Sequence, residues 1–361
     1  MNRDINEYKE RHLAFWSLQD VASPLIGFTI GAGLDSWSYW KYNKAALELM
    51  NKQNIVPDDI DPIKFIAEQL QYLKLSEQID DDICRSAMPL ASVPWMEAIL
   101  GCRVFSSEDH MDCEKVNGEP DSISISPFDH ENPWVQKYIE FIEVYKEGFG
   151  EKYPVAQSVI RGPSDLASAM LGIENASVAL LTNPDGMHRL LEKVTTQLEQ
   201  LLKLQGEHLP KFQDGYVIGQ YEIWAPEPVI RFQEDSSILY SPELYDEFLK
   251  PLDRRLASLS NYSLIHLHSP SLKLIDQFLD VTQITTFQIT KDPGSVLLSE
   301  MIPDLQKIQN ANKPLVLKGQ FDLEDINLMK KNLTSNGLCI QPVVSSLSDA
   351  QKLLLLLRNW K

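Results

Sequence analysis

The sequence predicts an α/β fold, a (β/α)8 TIM barrel with helical additions at its N-terminal side. Three observations lead there. From about residue 150 onward, short apolar segments alternate with amphipathic helices, the pattern of right-handed crossovers onto a parallel sheet. The strand candidates number eight, enough to close a barrel. No G-x-G-x-x-G follows an early strand, so a doubly wound dinucleotide-binding sheet would lack its phosphate loop.

The first ~20 residues carry Tyr8, His12, Phe15 and Trp16 on one stripe and read as a helix. SPLIGFTIGAGL (Ser23 to Leu34) is an apolar run closed by glycines, a buried strand entering a loop. Residues 35–80 are helical in pattern, broken where Asp58, Asp59 and Asp61 stand beside Pro57 and Pro62. ICRSAM (Ile83 to Met88) is a further strand candidate. Residues 106–133 are polar and rich in turn formers, a long surface excursion and a candidate lid. The remaining strands are PVAQSVIRG (Pro154 to Gly162), GYVIGQYE (Gly215 to Glu222), SLIHLH (Ser263 to His268), ITTFQI (Ile284 to Ile289), PLVLKG (Pro314 to Gly319) and GLCIQPVV (Gly337 to Val344). Helices between them start at Asn183–Pro184 and at Ser241-Pro242-Glu243, where a capping side chain precedes a first-turn proline. Residues 1–361 are expected to form one domain. Residues 1–150 would supply early strands, helical cover and the lid, because an open six-stranded remainder would expose sheet edges.

With 361 residues, 43% hydrophobic and 23% charged, the chain is of ordinary globular composition and long enough for a large core. A net charge of −18 repels phosphate backbones and anionic lipid, which argues against nucleic-acid and membrane-surface partners. Its plain meaning is solubility. Cys84, Cys102, Cys113 and Cys339 form no CxxC pair, so no zinc ribbon, redox motif or disulfide framework is indicated. The N-terminal stretch MNRDINEYKERHLAFW lacks the apolar core of a signal peptide, and no run approaches a membrane span. A cytoplasmic protein is expected.

Four blocks, in order, carry a resemblance. They are RGPSDLASAMLGIENASVALLTNPDGMHRLLEKV, EDSSILYSPELYDEFLKPLDRRL, LIHLHSPSLKLIDQFLD and PLVLKGQFD, which fall between residues 150 and 357. Together they resemble the uroporphyrinogen decarboxylase superfamily, with its Gly-Pro loop, its D-x-x-G-x-L-L-S-P-E-L-F block, its H-x-C-G segment and its L-x-G-x-x-D strand. The N-terminal third is similar only loosely, through ERHLAFW and PWMEAILGC. The resemblance implies a TIM barrel and one of two chemistries: porphyrinogen decarboxylation, or zinc-dependent methyl transfer to or from corrinoids and thiols. The decarboxylase proper holds its substrate's carboxylates on arginines after the first strand, and the matching stretch here, Pro24 to Gly33, has none. The family's aspartate ahead of Pro89-Leu90 falls near Arg85. A substrate with many carboxylates needs several fixed cations, so an authentic uroporphyrinogen decarboxylase is not expected.

Candidate site residues cluster at predicted strand ends, where barrel enzymes act. His266 and His268 replace the H-x-C at which related methyltransferases bind zinc, and alternate residues on a strand face the same way. The bland alternative is one buried histidine and one solvated histidine. Glu222 ends GYVIGQYE and is the expected third metal ligand. Glu234 and Asp235 are the catalytic candidates, set against a solvated loop acid and a cap on the SPELY turn. Lys291 and Asp292 follow ITTFQI and either contact substrate or form a turn. Trp224, like Trp37, Trp40 and Trp95, either walls a pocket or packs under a loop. His110 and His130 reach the mouth only if the excursion folds over it. The second cysteine of the family's zinc site has no counterpart in place; Cys339 sits several residues early and reads as a buried small hydrophobe. His12, His188 and His208 read as structural or solvated. Two functions follow: a zinc-dependent methyltransferase working with a corrinoid protein on a small O- or N-methyl donor, or a metal-free barrel that binds a small ligand or decarboxylates an organic acid using Asp235.

Overall fold

A computed structural model describes residues 5–30, 44–106, 111–116 and 118–360. Its strands are β1 (Leu25–Ile26), β2 (Thr29–Ile30), β3 (Val104–Ser106), β4 (Met111–Cys113), β5 (Tyr216–Val217), β6 (Trp224–Ala225), β7 (Val229–Gln233), β8 (Tyr262–His268), β9 (Thr286–Lys291), β10 (Leu315–Gly319) and β11 (Leu338–Val344). Seven of them form one parallel sheet in the order β1-β11-β10-β9-β8-β7, with β2 also on β11. Helices separate the later strands, as crossovers onto a parallel sheet require. Both faces of that sheet are covered, so Phe287, Ile289, Leu315, Leu317 and Ile340 have no exposed surface.

Two features depart from the sequence-based expectation. The residues 215–222 do not join the sheet; only Tyr216–Val217 is extended, and it pairs antiparallel with β6. Positive φ at Gln220 and Glu222 turns the chain there, which ends any strand. The place belongs to VIRFQ, β7, whose central Arg231 disguises it. That arginine is fully buried and bonds the carbonyl of Ile160 and the side chains of Gln220 and Tyr221.

Nor does the ladder run round a closed ring of eight. It stops at β1 and at β7, and two extended segments lie between these edges. Asp82 N donates to Ile26 O (2.6 Å), Ala87 N to Pro154 O (2.9 Å) and Ala156 N to Ala87 O (2.8 Å). Gly162 sits so close to β7 that a Cβ there would stand 2.0 Å from Gln233 O. Side chains take the place of a neighbouring strand along residues 154–162: Ser158 N donates to Tyr138 Oη, and Ile160 O accepts from Arg231. Pro154 has no N–H to offer.

The helices keep their expected starts. Asn183 accepts from Gly186 N and Ser241 from Leu244 N. The segment after Ser241 is not one regular helix. Pro251 cannot donate, and Tyr245–Leu249 widens to i→i+5 bonding before Lys250–Ala257 resumes. In the 106–133 excursion, β3 and β4 form a short hairpin. Among the described residues, no helix is long and apolar enough to cross a membrane.

Asp82 ties the two ends of the chain to the sheet. Its buried carboxylate accepts from Ile26 N (2.9 Å), from Arg11 on the first helix (2.9 Å), and from Arg358 on the last (2.7 and 2.9 Å). Removing it strands a backbone N–H and two arginines. Asp82→Ala should therefore lower unfolding stability by about 2–4 kcal/mol, measured by urea denaturation; an unchanged midpoint would refute this role.

Candidate functional site

The register of the parallel ladder brings Gln233, His266 and Gln288 level on β7, β8 and β9, at the carboxyl ends where open and closed α/β sheets bind ligands. Asp235 follows β7 directly. His266 Nε2 lies 3.3 Å from His268 Nε2 and 3.5 Å from Asp235 Oδ1; His268 Nε2 lies 3.7 Å from Asp235 Oδ2. Among the described residues, Asp235, His266 and His268 form a group whose ligand atoms lie within 4.8 Å of one another.

Hydrogen bonds from behind fix which nitrogen faces this triangle. His268 Nδ1 is 2.6 Å from Asp292 Oδ1, an acceptor only, so Nδ1 carries a proton and Nε2 is the nitrogen turned toward the triangle. Asp292 is itself held by Ser269 N and Oγ. His266 Nδ1 meets Gln288 Oε1 and the Tyr221 hydroxyl, with the same result at its Nε2. Two imidazole Nε2 atoms and a carboxylate thus point at one another around a space that takes a positive charge, either the second proton of His268 or a metal ion that displaces it. Burial holds His266 down at about 4, neutral near pH 7. Burial also depresses His268, but hydrogen bonds to Asp235 and Asp292 outweigh it and raise it to about 10. Asp235 Oδ1 is buried without a hydrogen-bond partner, while Oδ2 accepts from Gln233. The separations of 3.3, 3.5 and 3.7 Å compare with edges of about 3.3–3.4 Å for a tetrahedron with metal–ligand bonds of about 2.0–2.1 Å. The three side chains fit a zinc-like ion, with the carboxylate on the second histidine as its outer support.

Glu222 is not among them. It is buried, and its carboxylate accepts from Tyr72 Oη (3.0 Å), Ser86 N (2.8 Å) and Ser86 Oγ (2.6 Å), which leaves it a structural anchor for residues 82–88. Asp235 takes the place expected for it. Glu234, one residue along, points the other way and has no exposed surface. It accepts from Ser164 N at the start of the helix Pro163–Leu171, and it contacts Asp253. Asp165 of that helix returns the bond, accepting from Ser236 N (2.6 Å) and Asp235 N (3.2 Å). The reciprocal clasp fixes the turn that carries Asp235. Trp224 does not wall the site: it is buried with Tyr8, Phe212 and Val217 beneath the first helix, its indole N–H on Phe212 O. Trp95 packs edge-on against Trp134, Tyr138 and Phe141. Lys291 turns from the triangle to Asp325 (2.8 Å) and Gln320 O. Asp292 acts through His268. Cys339 is buried beside Leu25 and Val316. His130 is exposed; His110, Trp37 and Trp40 lie outside the described residues. A cavity of about 710 Å³ opens beside Asp235, lined by Arg161, Asp165, Ser168 and Ser236 among others.

The residues missed by sequence reasoning are Gln288, Tyr221, Asp165 and Arg161. Gln288 had a signal: once β8 and β9 are paired, alternation places Gln288 and Thr290 beside the two histidines. Asp165 and Tyr221 come from turns and helices whose packing no periodicity reports.

By sequence, no known family profile and no curated protein matches the chain. By structure it is similar to a methyltransferase from Methanosarcina mazei, at a TM-score of 0.67 and 14% identity, over 97% of this chain and 98% of that one. The likeness is one of fold.

The buried acids behind the site make stability depend on pH. Burial pushes Asp253 up to about 7, and its neighbour Glu234 well above the usual carboxylate range. The folded state then holds protons that the unfolded chain has released above about pH 4, so stability falls as pH rises from about 4 through 7. Asp253→Asn removes one such proton site. Its melting temperature should change less than the wild type's between about pH 5 and 8; parallel melting curves would rule out the shared-proton account.

Proposed function

We propose that this chain is a zinc-dependent methyltransferase on a (β/α)8 barrel of the uroporphyrinogen decarboxylase superfamily. It would move a methyl group between a small O- or N-methyl donor and the corrinoid of a partner protein. The reading takes residues 25–30, 82–88 and 154–162 with β7 to β11 as the eight staves of one barrel domain. One observation carries it: Asp235, His266 and His268 converge at the carboxyl ends of the strands, with both histidine Nε2 atoms and the unpartnered Asp235 Oδ1 facing one another. The order of sequence motifs supports the superfamily, and the similarity to a methyltransferase supports the fold that goes with it.

Zinc on two imidazoles and a carboxylate would act as a Lewis acid, keeping more positive charge than on thiolates and so suiting the oxygen or nitrogen of a methyl donor. The protein's own groups do the rest. Asp292 keeps the proton on His268 Nδ1, and Gln288 with Tyr221 keeps His266 turned toward the triangle. Asp165 aligns Asp235 through two backbone N–H groups. The adjoining cavity admits the donor from the side of Ser236. The stretch from Leu25 to Ile30 carries no arginine, which disfavours a polycarboxylate porphyrinogen as substrate.

Purified protein should contain about one zinc per chain. The double variant His266→Ala/His268→Ala should lose it, Asp235→Asn should weaken it at least roughly tenfold, and Glu222→Gln should keep it. Demethylation assays with added corrinoid protein should fail after chelation and recover with zinc. Full activity after chelation, or in the double histidine variant, would sink the metal-dependent reading.

A further inference from the structure

We propose that Arg161 forms an anion subsite in the cavity beside Asp235, so that the methyl donor carries a carboxylate at the end remote from its methyl group. The inference deepens the methyltransferase reading and rests on it for the identity of the reacting end. The subsite itself is argued from other residues.

Arg161 ends the segment that closes onto β7, and lines the cavity that also contains Asp235. Its Nη1 donates to Glu97 Oε1 at 2.8 Å. Glu97, on the short helix Trp95–Ile99, is 1% exposed, so it fixes one edge of the guanidinium from inside the protein. Among the described residues this is the only hydrogen bond of Arg161. A guanidinium has five N–H donors, which leaves four without a protein acceptor among the described residues. The side chain is 37% exposed, against 2% for its partner. A planar fork held on one edge and open on the other matches a carboxylate in two-point geometry, with little ordering left to do on binding.

The rest of the lining divides in the same sense. Lys115 is the second cation; its Nζ and Cε lie 3.0 and 3.1 Å from where a Cβ on Gly172 would stand, so the side chain crosses the cavity wall over that glycine. The acids do not compete evenly for the guanidinium. Asp165 spends both oxygens on the N–H groups of Asp235 and Ser236. Asp112 accepts from Cys113 N, Glu174 stands exposed at the rim, and Asp235 faces the histidines. Unused donors therefore gather at Arg161 and Lys115, and unshared acceptors at Asp235. A molecule with a carboxylate at one end and a methyl-bearing ether or amine at the other matches both.

Calorimetric titration with two matched pairs tests this: 4-methoxybenzoate against 4-methoxybenzyl alcohol, and trimethylglycine against choline. The carboxylate of at least one pair should bind roughly 10- to 100-fold more tightly than its alcohol. That preference should vanish in Arg161→Gln and in Glu97→Gln/Arg161→Gln, the double variant sparing Glu97 a buried, unpaired charge. The wild-type comparison needs no variant to fold. No preference in either pair, or a preference that survives loss of Arg161, overturns the proposal. So does a preference lost in His266→Ala/His268→Ala but kept in the arginine variants, which would put the carboxylate on the metal centre. A preference that depends on Arg161 in protein that binds no zinc would uphold the subsite while refuting the metal-dependent reading, so the two fail separately.

Discussion

The in-register parallel pairing of β7, β8 and β9 sets the height and direction of every group at the candidate centre. Gln233 stands opposite His266, and His266 opposite Gln288. Because side chains alternate, a slip of one residue would turn both histidines toward the helices and present Ile265 and Leu267 instead. Such a slip is resisted by the burial of those two residues, neither of which has exposed surface. The apolar face of β8 and its polar end are thus fixed by one choice of register.

Carboxylates serve this protein in two ways that look alike in a list of residues. Asp81, Asp82, Asp165, Glu222 and Glu234 are all buried, and each accepts at least one backbone N–H. They stand in for ladder bonds where the chain leaves regular structure, between β1 and residues 82–88 and between β7 and the helix Pro163–Leu171. Asp235 differs in where it faces: among the described residues its carboxylate accepts no backbone N–H, and it stands 3.5 and 3.7 Å from the two histidine Nε2 atoms. That direction separates a candidate ligand from a structural brace.

Much of this was legible in advance. The alternation of helices and apolar segments predicts the parallel sheet; the H-x-H pair is expected to share a centre with Glu222, and the structure sets Asp235, expected as a catalytic group, beside it instead. What failed did so for definite reasons. Glu222 ends an apparent strand in the sequence, yet two positive φ values make that stretch a turn. VIRFQ is not among the strand candidates; Arg231 breaks its apolar run, and nothing in a sequence says that Ile160, Gln220 and Tyr221 will surround an arginine. Glu234 and Asp235 both read as strand-end acids in the sequence, but the turn into the 3-10 helix that opens at Asp235 sends them to different sides.

The pairing of Leu25 with Cys339 has a consequence for synthesis. The first strand waits for more than 300 further residues before its partner leaves the ribosome. The Asp82 carboxylate likewise waits for Arg358. Until then the apolar run beginning at Leu25 has no neighbour on that side, and closing a loop of that length is slow compared with forming local helices. The nascent chain therefore carries an unpaired hydrophobic edge while those residues are made, the state in which chaperones find their clients.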